Sequence, residues 1–170
     1  MKDSHPKPDH DDFGFTSEQK QGLKRAIYQR RDVRSHFQSR PIPAEILAGL
    51  LAAAHHAPSV GFMQPWDFII IDDPLIKRSV KEAFDHENRR AADNYSGAQA
   101  ELYRSLKLEG IMECALNICV TCDRSRGGPH VLGRNTVIET DLFSTCLSVQ
   151  NLWLAARCEG IGVGWVSILD

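Results

Sequence analysis

The sequence predicts an α+β fold, in which several helices accompany a small number of strands. Helix start signals and apolar residues at helical spacing recur along the chain, and three short apolar runs have the length of strands. The helices and strands do not alternate strictly, which is typical of the α+β class. The 170 residues, of which 42% are hydrophobic and 25% charged, suffice for one domain with a sizeable core.

The N-terminal region predicts a tail followed by a first helix. Residues 1–15 are mostly polar, which is typical of a disordered tail, and the folded domain is expected over residues 16–170. The run Thr16-Ser-Glu-Gln19 has the spacing of a capping box, so a helix should begin there. The residues of this helix expected to face the core are Leu23, Ala26 and Ile27.

The middle of the chain predicts three helices and two strands. A helix should start near Pro43, which fits a first turn, and stop near Ala57, because a residue before proline avoids helical geometry. Its apolar stripe consists of Ile46, Leu47, Leu50, Leu51 and Ala54. The elements expected next are a strand over 67–71, a helix over 74–92, a break at 95–97, a helix over 98–110 and a strand over 116–122.

The last part of the chain predicts a long core helix and a third strand. Residues 123–135 are rich in Gly and Arg and predict a mobile loop. Thr140 should cap a helix that ends at Gly160, and residues 161–168 should form a strand. Apolar residues surround much of the helix, which indicates a central position: Leu142, Phe143, Cys146, Leu147, Leu152, Trp153, Leu154 and Ala156.

Charge and composition exclude several classes of protein. The formal charge of −2 gives no reason to expect a nucleic-acid or membrane-surface binder. No apolar run has membrane-spanning length, and the N-terminus lacks a signal-peptide core, so a cytoplasmic location is expected. The five cysteines do not indicate a disulfide framework in a chain of this length, and we expect reduced, mostly buried thiols.

Three motifs look functional but lack the required context. His55 and His56 are adjacent and diverge on a helix, unlike zinc ligands spaced by four, so no metal site is expected. The Gly160-Ile-Gly-Val-Gly164 run enters a strand from a helix, the reverse of a dinucleotide loop, and predicts a strand that lies close to something flat. Ser167 has no nucleophile elbow around it, which argues against a hydrolase.

Arg30-Arg-Asp-Val-Arg34 is the strongest candidate for a binding site. A guanidinium donates two parallel hydrogen bonds and so suits a phosphate. If the helix continued to residue 34, Arg30 and Arg34 would share one face and could grip one phosphate. The alternative is a solvated basic helix end. The loop 58–65, which contains Ser59 and Gly61, also has two interpretations, a ligand site or a simple turn.

Several stretches of the chain together carry a family resemblance. They are residues 30–34, 53–66, 103–110, 118–124, 150–156 and 160–167. With these stretches the chain resembles the flavin-binding nitroreductase superfamily and, more narrowly, the BluB family of 5,6-dimethylbenzimidazole synthases. The resemblance implies a three-layer α/β/α sandwich with a mixed sheet around a central hydrophobic helix, bound FMN, and a homodimer with sites at the subunit interface.

The resemblance also assigns residues to the site. It implies that Arg30, Arg31 and Arg34 hold the phosphate and ribityl chain, within a cofactor-binding segment that includes Asp32 and Val33. It implies further flavin contacts from Pro58, Ser59, Gly61, Lys107, Leu108, Val166 and Ser167. Members of the family continue beyond the Ser167 strand through another helix and strand, so we expect the C-terminal elements that complete the flavin site to be missing here.

The family reaction gives Asp32 and Ser167 catalytic roles. Reduced FMN is the substrate, O2 is the co-substrate, and the products are 5,6-dimethylbenzimidazole and erythrose 4-phosphate. Because Asp32 lies among the arginines expected to hold the phosphate, our hypothesis is that it takes a proton from the ribityl carbon next to the ring, while Ser167 hydrogen-bonds the peroxide or the flavin edge and orients it. The alternative for Asp32 is a structural ion pair with an arginine.

Two other functions remain open from the sequence. One is a conventional nitroreductase that uses a nicotinamide donor, and the other is a non-catalytic flavin-binding protein. The sequence does not show what reduces FMN, and a partner flavin reductase could supply it.

Overall fold

The computed structural model describes residues 14–169, so most of the predicted N-terminal tail lies outside the described residues. Five helices and two strands make up the secondary structure of this part of the chain, together with a short 3₁₀ turn. In chain order they are α1 (Ser17–Gln29), α2 (Ala44–His55), the 3₁₀ turn (Val60–Phe62), β1 (Trp66–Ile71), α3 (Pro74–Ala92), α4 (Gly97–Ser105), β2 (Asn117–Cys122) and α5 (Thr140–Cys158). The α+β class is confirmed.

Local signals set most of the helix ends. At α1 the Thr16 side chain accepts from the Gln19 N–H while the Gln19 side chain accepts from the Thr16 N–H, so the predicted capping box is present. Asp73 caps α3, whose first residue is Pro74. Gly160 follows α5 with a φ of +72°, as expected for a left-handed stop. Thr140, predicted as a cap, is instead the first residue of α5 after Glu139.

The core lies where α2 packs across α5. Leu50 and Ala54 from α2 meet Leu152 and Ala156 from α5, and both alanines are completely buried. Because alanine is small, the two helix backbones can approach closely at this point. The antiparallel pair of β1 and β2 covers the cluster through Phe68 and Ile118, two residues that are partly buried.

The buried face of α5 is more polar than predicted. Asp141, Ser144, Thr145 and Ser148 are buried and share one face with Leu152 and Ala156. The Ser144, Thr145 and Ser148 hydroxyls donate to carbonyls three or four residues earlier, which satisfies them inside the core. The predicted burial is wrong for four apolar residues of the opposite face, which are exposed in this single chain: Leu142, Phe143, Cys146 and Leu147.

Other predictions were wrong in detail. Leu23 and Ile27 of α1 are about half exposed, because α1 contacts the rest of the chain chiefly through Ala26 and its C-terminal end. The helix expected over 98–110 ends at Ser105. The strand expected over 161–168 is reduced to one parallel bridge between Val163 and Asp32. The partner segment is short, since it lies between the end of α1 and a left-handed turn at His36 (φ +61°).

Candidate active site

The arginine segment follows the end of α1 and is extended, so Arg30 and Arg34 do not share a helical face. Arg30 caps the helix, and its guanidinium lies 4.8 Å from the centre of the Trp153 ring. Arg31 donates to the carbonyls of Tyr28 and Arg30. Neither forms an ion pair with a carboxylate in the part of the chain described. Two of the three guanidiniums are therefore without a compensating carboxylate.

Asp32 joins the arginine segment to the glycine-rich segment near the C-terminus. Its Oδ2 accepts from both Nε (2.9 Å) and Nη2 of Arg34, and its Oδ1 accepts from the Trp165 N–H at 3.0 Å. The Val33 N–H also donates to the Val163 carbonyl at 3.0 Å. The structural ion pair foreseen as the alternative for Asp32 is therefore present. An ionised carboxylate has about four acceptor positions, so three donors leave one available.

Gly162 and Gly164, two of the three glycines that follow α5, allow this contact. A Cβ on Gly164 would lie 2.2 Å from the Val33 carbonyl oxygen, and one on Gly162 would lie 3.1 Å from the Val33 side chain. The sequence predicted a strand close to something flat, and the neighbour is the chain's own backbone at Val33. Trp153 and Trp165, which also belong to this corner, were not identified as site residues from the sequence. Their ring centres are 6.5 Å apart.

The loop at 58–61 lies at the other end of α5. The Val60 N–H donates to the Ser144 hydroxyl at 3.2 Å, whereas Arg30 contacts Trp153 nine residues later. At a rise of about 1.5 Å per residue these two points are roughly 13 Å apart along the helix. The Cβ position of Gly61 (φ +57°) is blocked by Val131, so internal packing already requires glycine there. Pro58 is exposed, and Ser59 accepts from the Gln64 N–H.

Lys107 and Leu108 lie on the segment after α4. The Lys107 ammonium donates to Glu113 at 2.5 Å and lies 3.5 Å from the buried Glu109. The hydrogen bond to Glu113 raises the pKa of Lys107, and the same bond lowers the pKa of Glu113. Leu108 is half-buried. A Cβ on Gly110 would lie 2.2 Å from the Phe37 ring, so this segment packs directly on the chain that follows the arginines.

A cavity of about 440 Å³ lies between β2, α5 and the glycine-rich segment. This volume is within the range of small-molecule sites, roughly 300–1,000 Å³. Of the predicted site residues, Val33, Arg34 and Val166 line it, and Glu109 brings the Lys107 segment to its wall. The other predicted residues do not line it, and Ser167 is exposed. The structure thus groups the arginines with residues 162–166 and leaves the 58–61 loop apart.

The segment 123–135, predicted as a mobile loop, is tied to the chain by its arginines. Arg126 donates to the carbonyls of Gln64 and Trp66 and pairs with Asp67. Arg134 is buried and donates to Met63 and to the Arg126 carbonyl. The sequence shows that Arg126 and Arg134 flank three glycines, but their spacing does not show which groups the two arginines hydrogen-bond.

Three further findings concern His55, metal ligands and membrane-spanning helices. The ring N–H of Trp66 donates to Nδ1 of His55, so this histidine has a partner within the chain. No cluster of three metal-ligating side chains occurs within residues 14–169. None of the helices in the described part of the chain has the length and apolar character needed to cross a membrane.

Comparison with known proteins identifies the family. The Nitroreductase family model matches residues 27–170. The chain is 43% identical over 149 residues to a 5,6-dimethylbenzimidazole synthase of Rhodospirillum rubrum. The aligned region covers 88% of this chain and 70% of the relative. It is 38% identical over 158 residues to a protein of the same name from Rhodobacter capsulatus, with 93% and 76% covered.

Solved structures have the same fold. A BluB-like flavoprotein from Clostridium difficile superposes with a TM-score of 0.66 over 85% of this chain and 74% of its own, at 18% identity, which supports the fold alone. An iodotyrosine deiodinase bound to FMN and 3-iodo-L-tyrosine superposes with a TM-score of 0.65 at 25% identity, over 82% of this chain and 71% of its own. The predicted nitroreductase-like fold is therefore confirmed.

Proposed function

The chain belongs to the nitroreductase family, and from that premise we propose that it is a 5,6-dimethylbenzimidazole synthase, an oxidoreductase that consumes reduced FMN and O2. The observation that carries the proposal is the similarity to the Rhodospirillum rubrum synthase over most of both chains. The bound FMN of the iodotyrosine deiodinase with the same fold supports the choice of flavin. Erythrose 4-phosphate is the second product in this proposal, and the cytoplasm is the expected location.

The arginine segment has the donor set that FMN requires. Arg30 and Arg31 have no carboxylate partner among the described residues, and Arg34 shares its charge with Asp32. The segment therefore keeps an excess of positive charge for a phosphate group. The Val33 N–H donates to the Val163 carbonyl, which fixes the backbone between Arg31 and Arg34. These arginines would hold the phosphate and ribityl chain.

The remaining predicted residues would hold the ring system. FMN, when bound, supplies the redox chemistry and the carbon atoms of the product. Val166 lines the cavity together with Arg34, and the exposed Ser167 hydroxyl would donate to the flavin edge. Lys107 would exchange its bond with Glu113 for a flavin contact, with Leu108 beside it. The loop with Pro58, Ser59 and Gly61 lies apart from the arginines within one chain, so it would contribute from the second copy of the proposed homodimer.

Asp32 is the proposed general base. The bonds from Arg34 and the Trp165 N–H hold its carboxylate in one orientation while one acceptor position is left over. A proton from the ribityl carbon next to the ring would be taken at that position. Asp32→Asn keeps the shape but removes the basic oxygen. We expect it to bind FMN and to slow product formation by about 10²–10⁴-fold. Unchanged product formation would exclude the role.

A homodimer is part of the proposal. The face of α5 opposite the core exposes apolar side chains, among them Phe143 (57% exposed) and Leu147 (46%), and α1 exposes Leu23 and Ile27. Large apolar side chains exposed in this number are expected to be covered by a partner surface. A second copy would also bring further residues to the arginine end of α5. Sedimentation of wild type and Leu147→Asp tests this, with a monomeric wild type contradicting it.

The fate of the flavin distinguishes the candidate functions. FMN, a chemical reductant and air are mixed with the protein, and flavin absorbance is followed together with product mass. Irreversible flavin loss with formation of 5,6-dimethylbenzimidazole supports the synthase. Full return of oxidised FMN contradicts it, and rapid NAD(P)H oxidation with a nitroaromatic would then identify a conventional nitroreductase. The chemical reductant replaces the flavin reductase that would supply reduced FMN in the cell.

A further inference from the structure

The three arginines of the segment differ in how many of their side-chain donors are in use. Arg31 donates to two backbone carbonyls, and Arg34 donates to Asp32 with its Nε and Nη2. The half-buried Arg30 donates only through its backbone N–H, at the end of α1. A guanidinium has five N–H donors, and within the described part of the chain all five are available at Arg30.

A tryptophan ring holds this guanidinium in place. The Arg30 guanidinium carbon lies 4.8 Å from the centre of the Trp153 ring, which is within the range of cation–π contacts. Trp153 is 8% exposed and follows Leu152 of the core cluster in α5, so packing fixes the ring itself. Among the described residues, the guanidinium has no other hydrogen bond, ion pair or ring contact.

An aromatic ring and a carboxylate position a guanidinium in different ways. A carboxylate takes up donors and cancels the charge, as Asp32 does for Arg34. An indole face attracts the cation through its π electrons and takes up none of the in-plane N–H groups. Arg30 is therefore held in place while its whole charge and its donors remain for an anion.

The next turn of α5 makes a second, separate contact with the end of α1. Arg157 donates to the Gln29 side chain at 3.3 Å. This hydrogen bond joins the two helices, whereas the Trp153 ring contacts the Arg30 side chain. Replacing Gln29 therefore loosens the same helix end and leaves the Arg30 guanidinium on its ring, which makes Gln29 a matched control.

On the basis of the proposed function, we propose that Trp153 is a positioning residue for the phosphate of FMN. It acts through Arg30, because a guanidinium that is already held in place loses less side-chain entropy when the phosphate binds. Trp153 also lines the cavity together with Arg34. A ring that only lined the cavity would support the flavin rings, and would favour FMN and riboflavin equally.

FMN and riboflavin differ by the phosphate alone, so the ratio of their affinities reports the arginine site. Fluorescence titrations with both ligands, and Tm, compare wild type, Trp153→Leu, Trp153→Phe and Gln29→Ala. Wild type should prefer FMN. Trp153→Leu should lose about five- to tenfold of that preference, and Trp153→Phe about twofold, because a phenyl ring attracts a cation less strongly than an indole. Gln29→Ala should keep the wild-type ratio.

Combining each Trp153 variant with Arg30→Met distinguishes a role through Arg30 from a structural one. Without the guanidinium, the Trp153 change should alter the ratio no further, since residues in contact are not additive. A further loss in the double variant overturns the inference. An unchanged ratio in Trp153→Leu, or in Trp153→Phe if the leucine variant does not fold, overturns it too and leaves the proposed function standing. Failure of the wild type to bind FMN would instead refute the proposed function, and the inference with it.

Discussion

Replacing Gly164 with alanine tests whether the arginine segment is held by its contact with the glycine-rich segment. The new Cβ would lie 2.2 Å from the Val33 carbonyl oxygen. Neither atom can move away by rotating a side chain, so the two backbone segments must separate. Separation breaks the Val33–Val163 and Trp165–Asp32 hydrogen bonds, each 3.0 Å long. Each is worth roughly 1 kcal/mol, and overpacking adds about 1–3 kcal/mol.

The expected loss of stability for Gly164→Ala is therefore about 3–5 kcal/mol, which corresponds to a fall in Tm of roughly 10 °C for a chain of this size. Gly162→Ala should lose less, since its Cβ would meet only the Val33 side chain at 3.1–3.3 Å. Gly49→Ala is the matched control, because it lies in α2 with nothing within 4 Å. Alanine should stabilise that helix by about 0.5–1 kcal/mol.

Thermal unfolding and FMN titration on the same samples provide the assay. Gly164→Ala should also bind FMN more weakly, because the backbone that carries Arg31, Asp32 and Arg34 loses its attachment to the glycine-rich segment. The reasoning is refuted if Gly164→Ala unfolds at the temperature of Gly49→Ala. It is also refuted if the variant is strongly destabilised yet binds FMN with wild-type affinity, since the contact would then be structural only.

Two further predictions concern charge and thiol reactivity. Burial opposes the charge of Asp141, but the hydrogen bonds from Arg124 and the Leu142 N–H keep its pKa below the usual value. The ionised carboxylate therefore stabilises the folded chain above about pH 4, and this contribution is lost as the pH falls through the lowered pKa. Asp141→Asn should cost about 1–3 kcal/mol at pH 7 and flatten the acid side of the stability profile, measured by urea unfolding from pH 3 to 7; a profile parallel to wild type would contradict this. Partial burial raises the pKa of the Cys114 thiol, so mass spectrometry should find Cys114 alkylated more slowly than the exposed Cys119, and equal rates would contradict this prediction.

The parts of the fold that follow local rules could be predicted from the sequence. The capping box at Thr16, the proline start of α3 and the left-handed Gly160 all depend on a few neighbouring residues, and each is present. The polar face of α5 could not be predicted. Serine and threonine hydroxyls that bond back to their own helix can be buried at little cost, and hydrophobicity alone does not show this.

The site shows the same division. The arginine segment and the glycine run were both recognised, but their contact was not, because Val33 and Gly164 are far apart in the sequence. The contacts of Arg126 with Gln64 and of Arg134 with Met63 were not predicted for the same reason. A glycine-rich stretch indicates backbone freedom, whereas the hydrogen bonds of the arginine side chains that fix it become evident only from the structure.

The most direct test of the central claim follows one carbon atom. FMN labelled with ¹³C at the first ribityl carbon is reduced chemically, mixed with the protein in air, and the products are analysed by mass spectrometry. The proposed function predicts irreversible loss of FMN and 5,6-dimethylbenzimidazole that carries the label in its new ring, with Asp32→Asn binding FMN but forming little product. Recovery of intact labelled FMN after reoxidation would contradict the proposal.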